Sequence, residues 1–159
     1  GHRGYAGEIG HLAVNPDGRR CACGARGCWE TEVGEAALVR RAGIADGDGG
    51  EPAVARVLEA AVGGDATARQ AITDVGRWTG IGLASLVNVL NPEVVVLVGG
   101  VIDALQDEMM SVIVETANHY AMPGTMKGVE IIASKLGDDA GITGGAVLAR
   151  KEAKKAAEK

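Results

Sequence analysis

Phenylalanine is absent from this 159-residue chain, and two tryptophans and two tyrosines are its only aromatic side chains. A core without many rings has to be built from Ala, Val, Leu and Ile, for which the 47% hydrophobic content provides the material. Basic charge is also short. Sixteen Lys and Arg against 21 Asp and Glu give a net charge of −5 and a pI near 5.2, so the segment lacks the basic stripe with which nucleic-acid readers hold phosphates. No apolar run reaches the roughly 18 residues that a membrane-spanning helix requires. No secretory signal precedes the first motif and the cysteines are not spread for disulfides, so a cytoplasmic location is expected. The length fits one domain or most of one.

Cysteine is equally scarce, and its placement is the most informative feature present. All three, Cys21, Cys23 and Cys28, lie close together, with His11 ten residues before the first. An odd count cannot pair completely, and Cys21 and Cys23 are too close to bridge comfortably. Three thiolates and one imidazole instead complete the tetrahedral donor set of a structural Zn²⁺, so His11, Cys21, Cys23 and Cys28 are read as metal ligands. Gly18, Gly24 and Gly27 suit a chain that wraps an ion, and Arg19, Arg20 and Arg26 are expected to favour thiolate over thiol. No position is left for an activated water, which sets aside a zinc-dependent hydrolase. The ion is expected to contribute on the order of 10 kcal/mol to ordering the loop.

Two carboxylates, Glu8 and Glu30, flank this set. Ionised carboxylates only accept hydrogen bonds. They therefore either take donors from the vicinal hydroxyls of a ligand or hold N–H groups and arginines of the loop itself. One His11 nitrogen is expected on the ion, with the other N–H facing the ligand or Glu30.

The remaining pattern is that of an α/β unit. A short strand is expected at 11–14, ended by the turn Asn15-Pro16-Asp17-Gly18, and a helix at 30–41. The stretch 43–50 is a glycine-rich loop; its acidic pair, Asp46 and Asp48, lacks the further oxygen ligands of a calcium loop and is read as solvated. Pro52 suits the first turn of a helix to residue 62. Apolar residues at three- and four-residue steps mark the longest helix, 65–90, with Asp65 as N-cap and Asn91-Pro92 as stop. Within it Gly76, Gly80 and Ala84 form a small-residue row for close approach of a sheet or a second subunit. The run 94–98 does not alternate, which predicts a strand covered on both faces. A helix at 103–120 and a second strand at 129–133 complete a βαβ unit. A last helix starts near Gly141 and ends in a charged tail, 151–159. His2 and His119 have no partner constellation, and Asp138-Asp139 and Gly144-Gly145 need no ligand at a helix start.

Glu8-x-Gly10-His11 followed by Cys21-x-Cys23-Gly24-x-x-Gly27-Cys28-x-Glu30 resembles the signature of the ROK family of repressors, open reading frames and kinases. Leu90-Asn91-Pro92-Glu93-Val94 through Gly99-Gly100, and Leu136-Gly137-Asp138-Asp139-Ala140-Gly141 through Ala146, are similar to the strand, turn and final loop of the same family. The resemblance implies the C-terminal part of an actin-like, ribonuclease-H-like ATPase fold with a structural zinc loop. In this reading 1–150 is the C-terminal ROK domain, with zinc loop 8–30 and α/β core 52–150, and the N-terminal domain is absent. It also implies that Glu8, His11 and Glu30 bind a monosaccharide or sugar phosphate, that Gly99 and Gly100 lie near a nucleotide's adenosine, and that a dimer or tetramer forms. A tight strand-to-helix turn explains Gly99-Gly100 nearly as well.

The family's phosphate loop, its Asn-Asp pair with the catalytic base and its first glycine-rich loop have no counterpart here. No catalytic residue is therefore assigned, and the segment alone is not expected to transfer phosphate. Two functions remain open. One is the sugar-sensing part of a transcriptional repressor that reaches DNA only through a winged helix-turn-helix in the missing N-terminal region. The other is the C-terminal half of a sugar kinase such as a glucokinase, using ATP and Mg²⁺. The run from Trp29 to Leu38 looks more like the family's regulators, which favours the first.

Overall fold

The computed structural model describes residues 1–44 and 52–157. The acidic pair Asp46 and Asp48 lies outside them. Its organising element is a helix of 25 residues, α4 (Ala66–Leu90), about 37 Å long at 1.5 Å per residue. Asp65 caps it as expected, its carboxylate accepting from the backbone N–H of Thr67 and Ala68 at 2.7 and 3.0 Å. Asn91 ends it in the left-handed conformation, φ 43°.

Around α4 pack α1 (Trp29–Glu32), α2 (Glu35–Ala42), α3 (Ala53–Val62) and α5 (Gly100–Tyr120), which bends at Leu105. The core between them is aliphatic: Leu38, Val57, Val75, Val87, Leu105, Met109 and Ile113 are all at least 98% buried. The small-residue row has an intramolecular partner, and it is α5. A Cβ on Gly76 would stand 3.3 Å from Val112, and one on Gly80 would stand 2.6 Å from Thr116 Cβ and 2.7 Å from the Ile113 carbonyl.

Strands β1 (Val94–Leu97) and β2 (Glu130–Ala133) pair in parallel, Val94 opposite Glu130 and Leu97 opposite Ala133, with α5 as the crossover. After β2 come a short helix-like turn and α7 (Ala140–Ala157); α6 (Pro123–Met126) sits between α5 and β2. Among the described residues no helix is long and apolar enough to cross a membrane.

Three expectations need correction. Residues 94–98 are not covered on both faces: Val95 and Leu97 pack on the core, whereas Val94, Val96 and Val98 are exposed. Among the described residues only one side of the sheet carries a helical layer, so a run of valines alternates in burial despite lacking alternation in sequence. The strand expected at 11–14 is reduced to one antiparallel bridge, Ala13 to Cys28, preceded by a 3₁₀ turn at Ile9–His11. The helix expected at 30–41 divides into α1 and α2 at Gly34, whose φ of 81° is outside the helical range. On the last helix, α7, Ile142, Val147 and Leu148 are exposed.

The α4–α5 contact generates a stability test. Gly80→Ala gains about 1 kcal/mol of helix propensity, but its methyl has no room, and overpacking of this kind costs about 1–3 kcal/mol. Urea unfolding is expected to show net destabilisation; a variant as stable as the parent or more so would mean that the two backbones are not in close contact.

Candidate metal and sugar site

The 3₁₀ turn, the loop after it and the start of α1 are tied together by backbone bonds before any side chain contributes. Val14 and Asn15 N–H both donate to the Gly27 carbonyl at 3.0 and 3.2 Å, and Trp29 N–H donates to Leu12 O at 2.8 Å. Within the loop Arg20 and Arg26 form an antiparallel bridge, Cys21 N–H donates to Ala25 O at 2.9 Å, and Gly24 N–H returns to Cys21 O at 3.0 Å. Gly24 turns the chain at φ 94°. Gly27, at φ 68°, lies so close to Asn15 that a side chain there would occupy the Asn15 carbonyl. The result is a tight knuckle carrying Cys21 and Cys23 on one arm and Cys28 on the return.

Trp29 fixes this knuckle to the core. Its indole N–H donates to the Trp78 carbonyl at 2.9 Å, and its ring lies over Gly82, where a Cβ would overlap it. The glycine in the middle of α4 thus makes space for the residue next to a metal ligand.

His11, Cys21, Cys23 and Cys28 come together as expected, with their donor atoms all within 4.8 Å of one another. Cys23 Sγ to Cys28 Sγ is 3.6 Å, and Cys21 Sγ to His11 Nδ1 is 3.6 Å. Sulfurs 2.3 Å from a tetrahedral ion stand about 3.8 Å apart, so the set fits Zn²⁺ in number, type and spacing. Glu30 joins it: Oε1 is 2.7 Å from Cys21 Sγ and 3.5 Å from His11 Nδ1. Glu30 and His11 are both exposed. His11 turns the same nitrogen, Nδ1, toward both Cys21 and Glu30, rather than one nitrogen to each role. Glu8 is exposed ahead of the 3₁₀ turn; its carbonyl accepts from His11 N–H at 3.1 Å, and its carboxylate makes no hydrogen bond or ion pair among the described residues.

The thiols differ in character. The Glu30 carboxylate accepting from Cys21 pushes that thiol up to about 12, and burial pushes Cys28 up, whereas the Ala25 backbone N–H pulls Cys23 down. None of the loop arginines is responsible, which corrects the expectation for Arg19, Arg20 and Arg26. Arg19 and Arg26 instead line a separate recess with Arg40, Arg41 and Glu32. Glu32 was not legible as important. It is 3% exposed, accepts from Asn15 Nδ2 at 2.9 Å and pairs with Arg41, joining the turn before the knuckle to α2.

Gly99 and Gly100 lie elsewhere, at the end of β1 and the start of α5. They line a cavity of about 410 Å³ with Trp29, Gly34, Glu35 and Met109. Gly99 has φ 116°, so a strand-to-helix turn alone demands glycine there. Glu35 is the one charged residue of the lining.

A hydrogen bond from the Cys21 thiol to Glu30 and ligation of a metal by Cys21 exclude one another, because the ion takes the place of the proton. With Cys21 and Cys28 held as thiols near neutral pH, metal uptake expels protons, and affinity rises with pH. Calorimetric Zn²⁺ titration in buffers of different ionisation enthalpy is expected to read release of about two to three protons per ion. Release of none would contradict binding through these thiols.

Comparison with known proteins shows the family to which the chain belongs. The family model described as "ROK family" matches residues 1–152. Glucokinase of Streptomyces coelicolor is 34% identical over 95% of this chain and 52% of its own length. A xylose repressor of Caldicellulosiruptor bescii is 32% identical over 91% of this chain and 39% of its own. The crystal structure of a ROK family glucokinase from Streptomyces griseus in complex with glucose and AMPPNP superimposes with a TM-score of 0.72 at 33% identity, covering 92% of this chain and 52% of that one. The chain thus spans about half the length of the glucokinase it matches. It belongs to the ROK family.

Proposed function

We propose that this chain is the effector-sensing part of a ROK transcriptional repressor, binding a monosaccharide beside a structural zinc. His11, Cys21, Cys23 and Cys28 hold the ion; Glu30, His11 and Glu8 receive the sugar. The observation that carries this reading is the position of Glu30. Its carboxylate is exposed to solvent yet held against two of the four metal donors, 2.7 Å from Cys21 Sγ and 3.5 Å from His11 Nδ1. With zinc bound, Cys21 would be a thiolate, its proton lost to solvent, and Glu30 would be free to accept from vicinal hydroxyls, with its direction fixed by the loop. Sugar bound there lies between this half, part of an actin-like fold, and the other half of the whole protein. In this reading the whole protein is a homo-oligomer, and closure of the two halves shifts its DNA-binding region only as far as the sugar prefers one arrangement over the other.

A repressor rather than a kinase is favoured by the run from Trp29 to Leu38, which looks more like the family's regulators than its kinases. The second reading, the C-terminal half of a glucokinase using ATP and Mg²⁺, has in its favour the 34% identity to glucokinase.

Glu30→Gln keeps the shape and removes the charge. It is expected to weaken sugar binding about tenfold or more, the worth of a charged hydrogen bond, with metal content unchanged; unaltered affinity would remove Glu30 from the site. For the full-length protein, sugar-dependent ATP turnover would decide for the kinase.

A further inference from the structure

A second recess on the metal loop has no part in the sugar site. Arg19 and Arg26 of the loop and Arg40 and Arg41 of α2 face one hollow of about 350 Å³, together with Asp17 and the buried Glu32. Glu32 neutralises Arg41. The other guanidiniums have no carboxylate partner among the described residues. Arg26 Nη1 donates to the Gly18 carbonyl at 2.8 Å, and Arg40 donates to the Ala36 and Thr31 carbonyls at 3.2 and 2.9 Å. These bonds hold the two groups in place without cancelling their charge. Arg19 makes no side-chain hydrogen bond or ion pair among the described residues. Four guanidiniums against the carboxylates of Glu32 and Asp17 leave the hollow at +2, in a chain whose net charge is −5. The crowding is felt: burial, then Arg41 and Arg19, lower the basicity of Arg40.

We propose that this recess binds a phosphoryl group, either as free inorganic phosphate or as the phosphate of a small sugar phosphate. Guanidinium forks match the oxygens of a tetrahedral dianion in geometry as well as charge, and the volume is that of a small-molecule site. An extended polyanion would need a basic surface stripe, which this acidic chain lacks. An anion here would bridge Arg19 and Arg26 of the metal loop to Arg40 of α2. It would relieve their mutual repulsion and tie the knuckle to the helix after it. The site is a second input to the loop that carries Glu30, and it stands whether or not the sugar assignment holds.

The test is calorimetric titration of the full-length, zinc-loaded protein with inorganic phosphate, and separately with glucose 6-phosphate, at an ionic strength fixed with chloride. Saturable binding is expected, weakened at least about tenfold in both Arg19→Ala and Arg40→Ala, with metal content and far-ultraviolet circular dichroism unchanged. Arg77→Ala, on the exposed side of α4, is expected to bind as the parent does. Tighter binding of glucose 6-phosphate, lost in the same two variants, identifies a sugar phosphate as the source; equal affinities identify the free anion. The site is overturned if neither compound binds saturably, if Arg19→Ala and Arg40→Ala bind as the parent does, or if Arg77→Ala loses as much as they do.

Discussion

Convergence of His11 and three cysteines on one point holds together a segment that has little else to order it. Between residues 1 and 27, only Gly18, Cys21 and Gly27 are buried, and Tyr5, Ile9 and Leu12 are exposed. Hydrophobic burial contributes little to such a stretch, because Val14 is its one apolar side chain packed on the core among the described residues. Its backbone bonds are those of turns and isolated bridges, each worth about 1 kcal/mol net. An ion taken by four converging donors would supply free energy on a different scale, on the order of 10 kcal/mol for a structural site. The direction of Glu30 would follow from that grip, since Glu30 stands two residues after Cys28 and lies against Cys21 and His11.

The core contributes by giving the knuckle a fixed base. Cys28 is followed directly by Trp29, which lies over Gly82 and donates to the Trp78 carbonyl, so the ligand set is attached to the middle of the longest helix. Glu32 makes the second attachment, through Asn15 on one side and Arg41 on the other. Between them these residues divide the loop into two faces of different chemistry. One presents an exposed carboxylate suited to hydroxyl donors, and the other an arginine-lined recess suited to an anion.

How far the sequence foretold this depended on whether the signal was local. The convergence of His11, Cys21, Cys23 and Cys28 was legible because four donors of the right types at close spacing allow few alternatives. Helix α4 was legible because its period, the Asp65 cap and the Asn91-Pro92 stop agree with one another. The burial of β1 was misjudged for a physical reason: an unbroken valine run records the cover intended for both faces, and this chain supplies it on one. The break at Gly34 was invisible to an apolar pattern that continues across it. Glu32 and Arg41, nine residues apart, carry no motif; only their convergence in space gives them meaning. The proximity of Arg19, Arg20 and Arg26 to Cys21 in sequence suggests thiolate stabilisation, whereas the fold turns Arg19 and Arg26 toward α2 and leaves Cys21 facing Glu30.

The central claim is that His11, Cys21, Cys23 and Cys28 grip one ion and so aim the acid beside them. X-ray absorption at the zinc edge, on full-length protein purified without added metal or chelator, tests it most directly. The account predicts stoichiometric zinc surrounded by three sulfurs at about 2.3 Å and one nitrogen at about 2.0 Å. Protein free of metal with all three thiols open to titration, or zinc in an oxygen-rich sphere, would contradict it.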